Sequence, residues 1–87
     1  MDDIPPWSET AKNLKPGIYR HFKPNKEKGD EYRLVSVARH SETGQELVIY
    51  QSLKFPDRIW ARPLDMFVEH VRRASYEGPR FTWLREE

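Results

Sequence analysis

Apolar and polar positions in this chain are arranged in short runs, and the pattern is densest between Tyr32 and Phe67. Residues 32–40 read Tyr-Arg-Leu-Val-Ser-Val-Ala-Arg-His, and residues 45–53 read Gln-Glu-Leu-Val-Ile-Tyr-Gln-Ser-Leu. Between them stands Ser41-Glu42-Thr43-Gly44, a turn signal. Two β-branched runs around such a turn predict a hairpin. A third run, from Ile59, is cut by Pro63. No window of eleven residues shows clean 3.6-residue periodicity, so an all-helical fold is excluded.

The turn suggests a register. Ser is favoured at the first position of a type I turn and Gly at the fourth, giving a three-residue loop with a bulge at Gly44. Cross-strand pairs then run His40 with Glu46, Ala38 with Val48, Ser36 with Tyr50 and Leu34 with Ser52 on one face. The reverse face pairs Arg39 with Leu47, Val37 with Ile49, Val35 with Gln51 and Arg33 with Leu53. Val35, Val37, Leu47, Ile49 and Leu53 make this reverse face the expected core. The first face, with small residues beside Tyr32 and Tyr50, is the expected site face.

The flanking segments complete the reading. Residues 1–14 form an N-terminal arm, with Pro5-Pro6 extended, Trp7 expected to dock, and one helical turn from Ser8 as its cap. Residues 15–87 form one domain. Gly17 to Phe22 is a strand, with Tyr19 and His21 on one face and Ile18, Arg20 and Phe22 on the other. Residues 23–31 are a solvated loop. Phe55 to Arg58 is a turn, and Ile59 to Arg62 is a strand. Pro63 opens a helical turn whose Leu64 and Phe67 face the core. Residues 68–73 are extended, Gly78-Pro79 turns, and Arg80 to Leu84 is a last strand with Phe81 and Trp83 on one face. The predicted fold is all-β: a small SH3-like barrel of about five strands with one short 3-10 or helical turn before the last.

Composition narrows the chemistry. A chain of 87 residues has one thin core. It has no cysteine, which excludes disulfides and thiolate metal sites. No apolar run is long enough for a membrane span, and a cytoplasmic protein is the expected class. The net charge is +1, but residues 11–40 carry eight Lys/Arg against three acids. That local excess can attract phosphate, though it falls short of a dedicated nucleic-acid footprint.

Four segments, Lys-Pro-Gly-Ile-Tyr-Arg-His-Phe-Lys (15–23), Val-Ala-Arg-His-Ser-Glu-Thr (37–43), Glu-Leu-Val-Ile-Tyr (46–50) and Trp-Ala-Arg-Pro-Leu-Asp-Met-Phe (60–67), resemble the bacterial domain-of-unknown-function family 1653. The resemblance runs from about Leu14 to Arg85. It implies an SH3-type barrel and a bacterial source, and it implies no activity. The long loop at 24–31 and the Pro-Pro-Trp arm depart from the family pattern.

Three function classes follow. The first is a non-catalytic binding module. Its candidate ligand-binding residues are Arg20, His21, Arg39, His40, Tyr50, Trp60 and Arg62, because arginine forks grip anions and aromatic faces stack on planar groups. Its ligand would be an anionic small molecule, a peptide or nucleic acid. The second is a nucleic-acid accessory domain using the lysines of 12–28. The third is a hydrolase using His40 and Glu42. Against it, His40 and Ser41 are strand neighbours that point to opposite faces, and Ser41 has a turn role. The spacing of His21, His40 and His70 fits no metal motif, and no cofactor is expected.

Overall fold

The computed structural model describes residues 4–23 and 30–87; the expected loop at 23–31 lies mostly outside them. The elements in order are α1 (Glu9–Lys12), β1 (Ile18–His21), β2 (Glu31–Arg39), β3 (Glu46–Ser52), β4 (Ile59–Pro63), α2 (Leu64–Phe67), β5 (His70–Arg73), β6 (Tyr76–Pro79) and β7 (Phe81–Arg85). Strands β4-β3-β2-β1-β7 form one antiparallel sheet, and β5 pairs with β6 in a second. The fold is therefore all-β, with α2 before the last strands as expected. Among the described residues there are seven strands rather than about five. The additional hairpin turns at Ala74-Ser75, which carries no Gly or Asn signal, and Gly78-Pro79 is paired strand rather than a turn.

The hairpin register differs from the expected one by one residue. Arg39 faces Glu46, Ala38 faces Leu47, Val37 faces Val48 and Ser36 faces Ile49. The cause is the turn. Gly44 N–H donates to the carbonyl of His40, four residues back, and His40 N–H donates to Gln45 O. The loop is thus the four residues Ser41 to Gly44, not three. Gly44 does take positive φ, at 75°. A second irregularity between Leu34 and Ser36 shifts the pairing again, so Leu34 faces Tyr50 and Tyr32 faces Ser52.

A one-residue slip exchanges the faces of the segment it moves, here residues 36–39 of β2, and the irregularity beyond Leu34 restores the expected faces of Leu34 and Tyr32. The core lies on the face expected to carry the site. Val48, Tyr50 and Ser52 are buried, whereas Val35, at the bulge, is half exposed and Leu47 and Ile49 lie on the reverse face. Val37, opposite Val48, is carried by the slip onto the inner side.

Aromatic rings fill the core. Phe67 and Phe81 stack at 4.2 Å between centroids, Tyr19 meets Phe67 edge-on at 5.2 Å, and Tyr50 meets Phe81 at 5.3 Å. Leu64 and Phe67 are buried, as the helical turn predicts. Phe81 and Trp83 share the inner face, opposite His21 and Tyr19. Burial raises the phenol pKa of Tyr19 against the opposing effect of its bond to Lys15 O.

The N-terminal segment is tied to the sheet. Ser8 caps α1 through Ala11 N–H, and its own N–H and hydroxyl both donate to Glu46 at 2.8 and 2.7 Å. Those bonds hold the Glu46 carboxyl below its usual range. Arg39 donates to Pro5 O and lies 4.7 Å from the Trp7 ring centroid. Ala11 and Leu14 pack against the core. At the junction, Trp83 donates to Pro16 O, and Gly17 takes φ 135°.

The two positive-φ glycines differ in their surroundings. A Cβ at Gly17 would meet Arg85 O at 2.3 Å, whereas one at Gly44 would meet nothing within 4 Å. Gly44→Ala should cost only the left-handed backbone penalty of about 1–2 kcal/mol. Gly17→Ala adds a backbone clash and should cost clearly more. Urea denaturation of the two variants checks the order; equal losses would count against the close approach at Gly17.

Candidate functional site

The end of β1 leaves the sheet with two aromatic rings in succession, and the β5–β6 hairpin folds over the second. His21 faces inward, its ring edge-on to Phe81 at 4.9 Å. Phe22 packs against His21 at 4.9 Å and stacks on Tyr76 of β6 at 5.4 Å. A row of rings therefore runs from Tyr76 through Phe22 and His21 into the core at Phe81. Backbone bonds hold it in place: His21 N–H donates to Asp30 O, and Phe22 N–H to Arg80 O. Beside the row lies a groove of about 500 Å³, lined by Arg20, His21, Phe22, Asp30, Tyr76 and Thr82.

Cations surround the row. Lys23, Arg73 and Arg80 each place their charge within 6 Å of the Phe22 ring centroid. An aromatic face attracts cations through its quadrupole, so the ring gathers positive charge that would otherwise disperse. Arg80 is partly neutralised by Glu69 at 2.8 Å, and Arg20 is near Glu31 at 3.5 Å. From the inner face, Arg62 donates through Nε to the Tyr50 hydroxyl at 3.1 Å and lies over Phe81 at 5.4 Å.

His21 has an assignable tautomer. Its Nδ1 accepts from Lys23 N–H at 3.1 Å, which leaves the proton on Nε2. Among the described residues, Nε2 has no hydrogen-bond partner. Burial lowers its pKa, the Lys23 carbonyl opposes this, and the charges of Arg62, Arg80 and Lys23 lower it further. The ring is an N–H donor without charge at neutral pH, beside a positive field.

Of the seven residues expected at the site, His21, Tyr50 and Arg62 come together around Phe81. Arg20 lines the groove. Trp60 stands opposite Tyr50 at the sheet edge and is 47 % exposed. Arg39 and His40 do not join them. Arg39 binds the N-terminal segment and Gly44 O. His40 lies exposed in the hairpin turn, and its Nδ1 accepts from the N–H groups of Glu42 and Thr43, not from an ion pair with Glu46. The sequence reading missed Phe22, Arg73, Tyr76 and Arg80. The His21-Phe22 doublet was a signal for the first; nothing local indicated that β5 and β6 fold back onto it.

Other groupings are weaker. A second concavity, of about 330 Å³, is lined by Ser8, Glu46, Leu64 and neighbouring residues where the N-terminal segment meets the sheet. Among the described residues no three His, Cys, Asp or Glu side chains gather as a metal cluster. No helix among them is long and apolar enough to cross a membrane.

The sign of the His21 shift sets a pH dependence. An unfolded His titrates near pH 6.5, and the folded value is lower, so the unfolded chain binds more protons in the interval between them. This residue's contribution to stability is complete above about pH 6.5 and is lost as pH falls through the folded value. NMR titration of the His21 ring should give a midpoint below 6.5; a midpoint above it would contradict the packing on Phe81.

Comparison with known proteins agrees with the fold. The model of the family described as "Protein of unknown function (DUF1653)" matches residues 17–83. The crystal structure of a member of that family from Bordetella bronchiseptica is similar, with a TM-score of 0.71 and 30 % sequence identity over 88 % of this chain and 95 % of that one. No curated protein matches. A chain matched over most of its length by the family model, and sharing its fold with a solved member, belongs to the DUF1653 family of proteins of unknown function.

Proposed function

We propose that this chain is a non-catalytic binding module whose ligand carries an anionic group on a planar ring. The observation that carries this reading is the cationic collar of Lys23, Arg73 and Arg80 around a Phe22 ring that is stacked on Tyr76 beside His21. A planar ligand lies in the groove against the exposed parts of this row. Its anionic group meets Arg73 and Lys23, and the Nε2–H of His21 supplies one directional hydrogen bond. Arg62 keeps its terminal N–H groups for a ligand that reaches the inner face, since only its Nε is used by Tyr50. An SH3-like barrel would suit this role, because such folds present aromatic faces with charged rims.

The geometry offers less to the other readings. A hydrolase needs a base and an acid that face each other out of water. His40 is exposed and its Nδ1 is engaged by the turn backbone. A nucleic-acid interface calls for one continuous basic face, and the described cations are interleaved with Glu31, Glu69 and Glu77, each of which binds an arginine.

Amide chemical-shift mapping tests the proposal with inorganic phosphate, a nucleoside monophosphate, an oligonucleotide and a proline-rich peptide as probes. The monophosphate should shift Phe22, Tyr76 and the His21 ring, and phosphate alone should shift them less. Arg73→Ala, at an exposed position, should weaken the monophosphate about 5–50-fold by removing one charge-assisted contact. Shifts confined to Arg39 and the hairpin turn, or no shifts with any probe, would overturn it.

A further inference from the structure

The groove beside Phe22 holds polar groups that the fold itself does not use. Most of the charged and hydroxyl groups around it are engaged. The Tyr76 hydroxyl donates to Pro79 O, Arg80 donates to Glu69, and Glu31 is bound by both Arg20 and Arg85. Asp30 and Thr82 differ. Both line the groove, and among the described residues neither the Asp30 carboxylate nor the Thr82 hydroxyl makes a hydrogen bond or an ion pair.

The strand ladder sets their places. His21 N–H donates to Asp30 O, so Asp30 stands beside His21 on the β2 side of β1. Thr82 stands opposite Arg20 on the β7 side. Positive charge gathers instead at Phe22, from Lys23, Arg73 and Arg80. The groove therefore has a cationic end and, past His21, a carboxylate.

A carboxylate near an anion site opposes every anion that brings nothing for it, because like charges are set close together. It becomes favourable only for a ligand that also carries neutral donors. A carboxylate has two oxygens in one plane, which match two adjacent N–H groups on the edge of a flat ring.

We propose, building on the binding reading above, that the ligand of this groove is a guanine nucleotide and that Asp30 selects its base. The base stacks on the Phe22–Tyr76 row, with its phosphate toward Arg73 and Lys23. Its ring N–H and amino group donate to the two oxygens of Asp30. The adjoining ring carbonyl is left for the donors across β1, Arg20 and Thr82. Adenine presents a single amino group beside an unprotonated ring nitrogen, so the carboxylate gains one bond and faces one lone pair. Hypoxanthine keeps the ring N–H and lacks the amino group.

Amide chemical-shift titration of the full chain with GMP, dGMP, IMP and AMP tests this, since all four carry the same phosphate. GMP and dGMP should bind alike, AMP about 10–100-fold more weakly, and IMP between them. Asp30→Asn should weaken GMP about tenfold or more while AMP binds as well as before or better. A carboxylate that acted only by its charge would instead let both tighten together on substitution, which would overturn the proposal. Should that variant fail to fold, the wild-type series decides alone. Equal affinity for GMP and AMP, with shifts at Phe22 and Tyr76, would overturn the guanine assignment and leave the binding reading standing. So would a preference for GMP over dGMP without a preference among bases, which would place the ribose hydroxyls on Asp30. No shift with any nucleotide would overturn both.

Discussion

The stacked contact between Phe67 and Phe81 is the constraint on which the rest of the molecule depends. Phe67 comes from a single helical turn, and Phe81 from the last strand. A turn of four residues has almost no intrinsic stability. It holds because its two apolar residues are buried against the sheet, and Phe67 is 1 % exposed. The same ring touches Tyr19 of β1 and Tyr50 of β3, so one side chain joins elements that are distant in sequence. In a chain this small, a few such contacts supply most of the stability.

The candidate site is an extension of that core. Phe81 contacts His21, and His21 contacts Phe22, so the row of rings continues from the dry interior to the surface. One end of the row is buried at Phe81. Exposure at the other leaves ring faces for cations, and the three charges near Phe22 are the consequence. The depressed His21 pKa arises from the same placement, since the imidazole is half withdrawn from water and surrounded by like charge. Core packing and site electrostatics have one structural origin here.

Much of this was legible in the chain. Ser8 as a helix cap, Gly44 in a left-handed turn, the buried pair Leu64 and Phe67, and the shared face of Phe81 and Trp83 all follow from local rules, and the structure agrees. What local rules could not give was the loop length at the hairpin. A three-residue and a four-residue loop both place Gly44 at positive φ, yet they exchange the faces of residues 36–39 of β2 relative to β3. The more apolar face, with Leu47 and Ile49, is the natural core choice, but aromatic area outweighed it: Tyr50 makes more contact through one ring than either aliphatic residue would. The site was read in part for the same reason. His21, Tyr50 and Arg62 were found because they lie on predicted strands. His40 was grouped with them through the expected register, and Arg39 was included although that register put it on the reverse face. Tyr76 and Arg73 depend on a hairpin whose turn, Ala74-Ser75, has no sequence signature.

The claim that the Phe67–Phe81 stack is central is tested most directly by a double-mutant cycle. Leucine at each position removes the ring and keeps apolar volume, so the variants Phe67→Leu, Phe81→Leu and the double variant can be compared by urea denaturation with wild type. The account predicts a coupling of about 0.5–1.5 kcal/mol, the worth of an aromatic pair beyond its buried area. Additive losses, with no coupling, would show that the two rings are merely adjacent and would contradict it.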